Sequence, residues 1–122
     1  MRLDKMAVTA QEALQASIGV ATDAEAGSVE PVHLPKALLD SGERNLSSII
    51  ERVGADPRAI AGAVDEQISR EPKVSGSGQQ VGLSNDFVKV VDAAEKLATK
   101  LGASYVTSEH LLCALADARS DA

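Results

Sequence analysis

The stretch Val29-Glu30-Pro31-Val32-His33-Leu34-Pro35-Lys36-Ala37-Leu38-Leu39-Asp40 returns 77 residues later as Val106-Thr107-Ser108-Glu109-His110-Leu111-Leu112-Cys113-Ala114-Leu115-Ala116-Asp117. The two align without a gap, with identities at Val29/Val106, His33/His110, Leu34/Leu111, Ala37/Ala114, Leu38/Leu115 and Asp40/Asp117. The register holds upstream, where Ala16/Ala93, Ala21/Ala98, Thr22/Thr99 and Ala26/Ala103 match and Leu14/Val91 and Val20/Leu97 are apolar in both copies. One offset that preserves apolar spacing over this length marks a duplicated helical unit. Duplications of this kind build binding surfaces at the seam between copies rather than catalytic pockets.

Working outward, 122 residues suffice for one domain with a modest core. That core is made of Ala, Val, Leu and Ile, with one Phe, one Tyr and no Trp. Twelve basic against eighteen acidic residues give a formal net charge of −6. This speaks against nucleic acid as a partner, because phosphate binding needs a basic field. The lone Cys113 excludes an intramolecular disulfide and a closed cysteine-rich zinc site, and suits a reducing cytosol. The start, Met1-Arg2-Leu3-Asp4-Lys5-Met6, carries an early acid and no apolar signal segment, and no stretch has the roughly 20 apolar residues of a membrane span.

Thr9 and Glu12 have capping-box spacing and predict the start of a first helix, with Leu14, Ile18 and Ala21 on one face, fading near Ala26-Gly27. Pro31 suits the first turn of a second helix that runs to Gly42. A third carries Leu46, Ile49, Ile50 and Val53 and stops at Gly54. A fourth opens on Asp56-Pro57 and places Ile60, Val64 and Ile68 four apart. Residues 72–83 read as a linker between repeat one, about 1–71, and repeat two, 84–122. Repeat two opens at Ser84 or Asn85 with the strongest amphipathic helix, carrying Phe87, Val90, Val91, Ala94, Leu97, Ala98 and Leu101, and a last helix follows a cap at Thr107 or Ser108. The counterpart of Arg70 would be position 147, 25 beyond Ala122, so repeat two reads as incomplete. Leu111, Leu112 and Leu115 are then expected to be partly exposed or covered by another chain.

Three chemistries can be weighed. Gly76-Ser77-Gly78 lacks the following Gly-Lys-Ser/Thr and the preceding strand of a phosphate loop, so a flexible linker accounts for it better. His110, Cys113 and Glu109 could supply metal ligands or a thiol nucleophile, yet repeat one has Lys36 where Cys113 stands. Local hydrogen bonding by both histidines and packing of Cys113 as a small hydrophobe explain the same residues. The stripe from Phe87 to Leu101 is core for the most part, with a groove for apolar peptide at its edge the functional alternative.

Taken together, Met1-Arg2-Leu3-Asp4-Lys5, Gln11-Glu12-Ala13-Leu14-Gln15-Ala16, Glu30-Pro31-Val32-His33-Leu34, Pro72-Lys73-Val74-Ser75-Gly76-Ser77-Gly78 and Tyr105-Val106-Thr107-Ser108-Glu109-His110-Leu111-Leu112 resemble the amino-terminal domain of the ClpB disaggregase family. The resemblance implies an all-α fold of two pseudo-repeats forming one compact domain over 1–122. It also implies an accessory role: contact with unfolded or aggregated polypeptide, on behalf of a hexameric ATP-driven ring that works with the DnaK system in the cytoplasm. The chain carries no ATPase motif, so no chemistry, cofactor or metal is expected of it, nor a nucleic-acid or membrane partner. Small residues stand at Ala7 and Ala103, where the family commonly has polar ones, and Pro35 where it has a long apolar one. The substrate groove is expected to have Val90, Ala94 and Leu97 as its floor and Tyr105 and Glu109 as its rim. The alternative is an adaptor-docking domain of the ClpC/ClpA kind.

Overall fold

The computed structural model describes residues 3–41, 44–52, 54–71, 73 and 82–120. After a 3-10 turn at Leu3–Lys5 come six helices: α1 (Val8–Asp23), α2 (His33–Asp40), α3 (Arg44–Arg52), α4 (Pro57–Arg70), α5 (Asn85–Lys100) and α6 (Ser108–Ser120). Among the described residues the only extended pairings are two isolated parallel bridges, Met6 with Val106 and Leu83 with Val29. The fold is all-α, as expected. Val53, Gly42 and most of the linker, 74–81, lie outside the described residues.

The duplication governs burial position by position. In α1 the buried residues are Ala10, Ala13, Leu14, Ser17 and Ala21; in α5 they are Phe87, Val90, Val91, Ala94 and Ala98, each 77 further on. Leu34, Ala37 and Leu38 of α2 have the buried counterparts Leu111, Ala114 and Leu115 of α6. Equal spacing on a 3.6-residue helix presents equal faces, so the copies bury equivalent stripes against one shared core. α1 packs on α2 and α5 on α6 within the copies, while α6 also meets α1, α2 and α3. Phe87, Leu34, Leu38, Leu46 and Leu111 are fully buried at the centre, each contributing about 1.5–3 kcal/mol by removal from water.

Helix ends follow the local chemistry. Asp56 accepts from the Arg58 N–H at 3.0 Å ahead of Pro57, and Ser84 accepts from the Phe87 N–H at 3.0 Å, so α4 and α5 are capped. Gly54 follows α3 at φ +84°, a left-handed position that glycine reaches without strain.

Four expectations need correction. Thr9 does not cap α1: the N-cap is Ala7, which has no side-chain acceptor, and Gln11 folds back to donate to the Met6 carbonyl at 3.0 Å. Pro31 lies two residues ahead of α2 rather than in its first turn. Leu111 and Leu115 are buried and Leu112 partly so, because α3 of repeat one packs on α6 alongside α1, α2 and α5 and supplies cover. Cys113 is exposed, not packed as a small hydrophobe.

Candidate functional site

The two copies clasp each other reciprocally. The Ala7 N–H donates to the Val106 carbonyl at 2.8 Å, and the Val106 N–H to the Lys5 carbonyl at 2.8 Å. The equivalent bonds, 77 residues on or back, are Ser84 N–H to Val29 carbonyl at 3.0 Å and Val29 N–H to Gly82 carbonyl at 2.8 Å. Each copy's lead-in segment thus pairs with the loop that precedes the second helix of the other, which is the arrangement of a pseudo-two-fold axis. Two seams result, one at Met6–Val106 and one at Leu83–Val29.

Each seam loop is tied down by a histidine. The Glu30 N–H donates to His33 Nδ1 at 2.8 Å, and the Thr107 N–H to His110 Nδ1 at 2.9 Å. A backbone N–H can only donate, so both Nδ1 atoms are unprotonated and the neutral rings carry their proton on Nε2. The local hydrogen bonding expected of the histidines is therefore what holds the loops.

The seams differ in their surfaces. Around Met6–Val106 stand exposed apolar side chains: Val8, 69% exposed, directly after the Ala7 pairing; Tyr105, 56%, directly before Val106; and Leu101, 67%, at the end of α5. Their counterparts at the other seam are Asn85, Ser28 and Ala24, so that the exposed large apolar side chain there is Leu83, at 37%, where Met6 is buried. A pocket of about 220 Å³ opens here, lined by Lys5, Glu95, Ala98, Thr99, Ala103, Ser104, Tyr105 and Val106. A wider groove of about 380 Å³ between α1 and α2 is floored by Ala13, Ala16 and Ala37 with Glu12 and Asp40 on its sides, and has no exposed large apolar side chain.

The expected groove residues separate on this geometry. Val90, 5% exposed, and Ala94, 0%, belong to the core and cannot floor an open groove. They fall on the stripe of α5 that includes Phe87, Val91 and Ala98, and the spacing that suggested an apolar edge is the spacing that turns them inward. Leu97 is half-buried on the flank of α5, and Tyr105 and Glu109 are exposed. Leu101 and Val8 are not legible as candidates in the sequence: one ends a helix and the other begins one, where periodicity says little about which side faces out. His110 and Cys113 gather no third ligand; among the described residues no group of three or more His, Cys, Asp or Glu could hold a metal ion. No helix of the described residues is long and apolar enough to cross a membrane.

Comparison with known proteins agrees with this architecture. The family model described as the Clp repeat (R) N-terminal domain matches residues 5–122. ClpB chaperones are similar in sequence: that of Propionibacterium freudenreichii is 37% identical over the whole chain, and that of Rhodopseudomonas palustris 48% identical over 86 residues, 70% of the chain. The chain spans 14% and 10% of the length of those two proteins. Among solved structures, the Hsp104 N-terminal domain of Candida albicans superposes with a TM-score of 0.85 over 95% of this chain and 76% of its own, at 18% identity. A ClpV N-domain in complex with a VipB peptide gives 0.80 over 98% and 71%, at 20% identity. At such identities these two structures show the fold alone. With the family model running over nearly all of the sequence, and ClpB chaperones among its sequence relatives, the protein belongs to the Clp repeat N-terminal domain family.

Proposed function

We propose that this domain is the substrate-interaction module of a ClpB-type, ATP-dependent disaggregase, holding exposed apolar segments of unfolded or aggregated protein at the Met6–Val106 seam. The observation that carries this is the asymmetry of two otherwise equivalent seams: Val8, Leu101 and Tyr105 are exposed at one, where Asn85, Ala24 and Ser28 stand at the other. Exposed large apolar side chains on the elements of this seam, Tyr105 also lining its pocket, suit a surface meant to be covered by a partner. Leu97, half-buried on α5, Tyr105 and Leu101 supply apolar contact, and Glu109 meets a backbone N–H or a basic side chain of the segment. Val90 and Ala94 act from beneath, by fixing α5 in place. Peptide binding by a relative of the same fold, the ClpV N-domain in complex with a VipB peptide, supports this assignment. The domain performs no chemistry and needs no cofactor. We further propose, as the resemblance to the ClpB family implies, that the parent protein is a hexameric ring in the cytoplasm that works with the DnaK system.

Most of the affinity comes from apolar burial, at about 25 cal/mol per Å² before the cost of association is subtracted, so binding is micromolar or weaker. The experiment converts one seam into the other. Fluorescence anisotropy with labelled, reduced and carboxymethylated casein measures affinity for the wild type and for V8N/L101A/Y105S. The triple variant, changed only at exposed positions, is expected to keep its thermal midpoint and bind at least about tenfold more weakly. Unchanged affinity defeats the proposal. Stronger binding of a folded adaptor than of unfolded casein would instead favour a docking domain of the ClpC/ClpA kind.

A further inference from the structure

We propose that His33 is an acid-sensitive latch on the Leu83–Val29 seam: a proton on its Nδ1 frees the Glu30 loop and uncovers Val29 beside Leu83, opening a second apolar seam at low pH.

The geometry begins with the Glu30 N–H, which donates to His33 Nδ1 at 2.8 Å. Glu30 directly follows Val29, whose carbonyl and N–H make both backbone bonds to the start of repeat two. The latch thus holds the one residue on which this seam depends. A proton on Nδ1 turns the acceptor into a donor facing another donor, and the loop loses its tie. His33 is fully buried, and its Nε2 has no hydrogen-bond partner among the described residues, so once the first hydrogen bond is lost the ring is held by packing alone. What would be exposed is apolar: Val29 is fully buried and Leu83 already 37% exposed.

The surroundings set the direction of the response. Burial holds the imidazole below its ordinary range, opposed in turn by the carboxylates of Glu71, at the end of α4, and Glu30 in its own loop, and by the backbone hydrogen bond with Glu30. The closed seam therefore resists protonation, and the open seam accepts it. Linkage then makes the opening constant rise about tenfold for each pH unit below the ordinary imidazole value of roughly 6.5, until the buried ring itself takes the proton. The latch stands on this geometry whether or not the other seam binds substrate.

Amide hydrogen exchange by NMR from pH 7.5 to 4.5, corrected for intrinsic rates, tests it. Protection at Val29, Glu30 and Ser84 is expected to fall about tenfold per pH unit below roughly 6.5, while Leu14 and Val91 in the core keep theirs. H33Q, whose side-chain carbonyl can accept from the Glu30 N–H without titrating, is expected to show no such fall. Protection at Val29 and Ser84 that is flat with pH in the wild type, or that falls in step with Leu14 and Val91, overturns the latch. So does the same pH dependence in H33Q.

Discussion

Ala7 and Ser84 occupy the same place in the two copies, both in extended backbone at the N-cap of a long helix, with φ/ψ of −64°/158° and −71°/160°. Only Ser84 brings an oxygen to the open N–H groups of its helix. A7S therefore transplants a cap that the protein has already built once, and is expected to stabilise by about 0.5–2 kcal/mol in urea titration, while S84A costs a similar amount. Glu25 and Gly102 form the matching pair at the other end of these helices. Both sit at positive φ, 57° and 76°, and the same carbonyl of the last turn, Thr22 or Thr99, accepts from each. A side chain is strained there, so E25G is expected to raise stability by about 1 kcal/mol, read as a rise of roughly 3–6 °C in the calorimetric midpoint. His33 makes a third prediction. Its folded-state pKa lies below the ordinary 6.5, with burial the chief cause, so the unfolded chain takes the proton first. The contribution of the neutral ring is complete above pH 6.5 and is lost as pH falls from there to the lowered value. Urea midpoints measured between pH 7.5 and 4.5 are expected to drop in the wild type more steeply than in H33Q.

Among the elements, α3 and α4 belong only to repeat one, and they differ in how they are held. Leu46 of α3 is 1% exposed and joins the common core, and α3 touches α6 of the other copy as well as α2 and α4. α4 buries Val64 alone and packs on α2 and α3, helped by an exposed Lys36–Asp65 pair at 2.9 Å that contributes little. L46A is expected to cost about 2–5 kcal/mol, and α4 to exchange its amides faster than α1 or α5. Helix order and type were legible because Leu, Val and Ala recur at steps of three and four between clear boundaries, stops at Gly54 and Gly102 and a start at Pro57. Helix starts were less so: Thr9 and Glu12 have the spacing of a capping box, but the chain enters α1 from its pairing with Val106, which sets the start at Ala7. At the candidate site the sequence picked out Leu97, Tyr105 and Glu109 along with the inward-facing Val90 and Ala94. Periodicity tells which residues share a stripe, whereas which part of a stripe stays open depends on tertiary neighbours. Leu111 and Leu115 show the same limit, since α6 packs not only on α5 but also on α1, α2 and α3, elements far away in sequence.

At the scale of the molecule, duplication supplies two seams and divergence makes them unequal. The backbone bonds that close them are the same in kind and number, 2.8 and 2.8 Å at one and 2.8 and 3.0 Å at the other. What distinguishes them is side chains at equivalent positions, so under the proposed function each seam serves as the other's control. The most direct test is a chemical-shift titration of the labelled domain with unfolded casein, read at paired amides. Perturbations are expected at Leu97, Leu101, Tyr105 and Glu109, with their counterparts Val20, Ala24, Ser28 and Val32 little changed at neutral pH. Equal perturbation of both sets, a cluster around Ile60 and Val64 on α4, or no response at either seam would contradict the assignment.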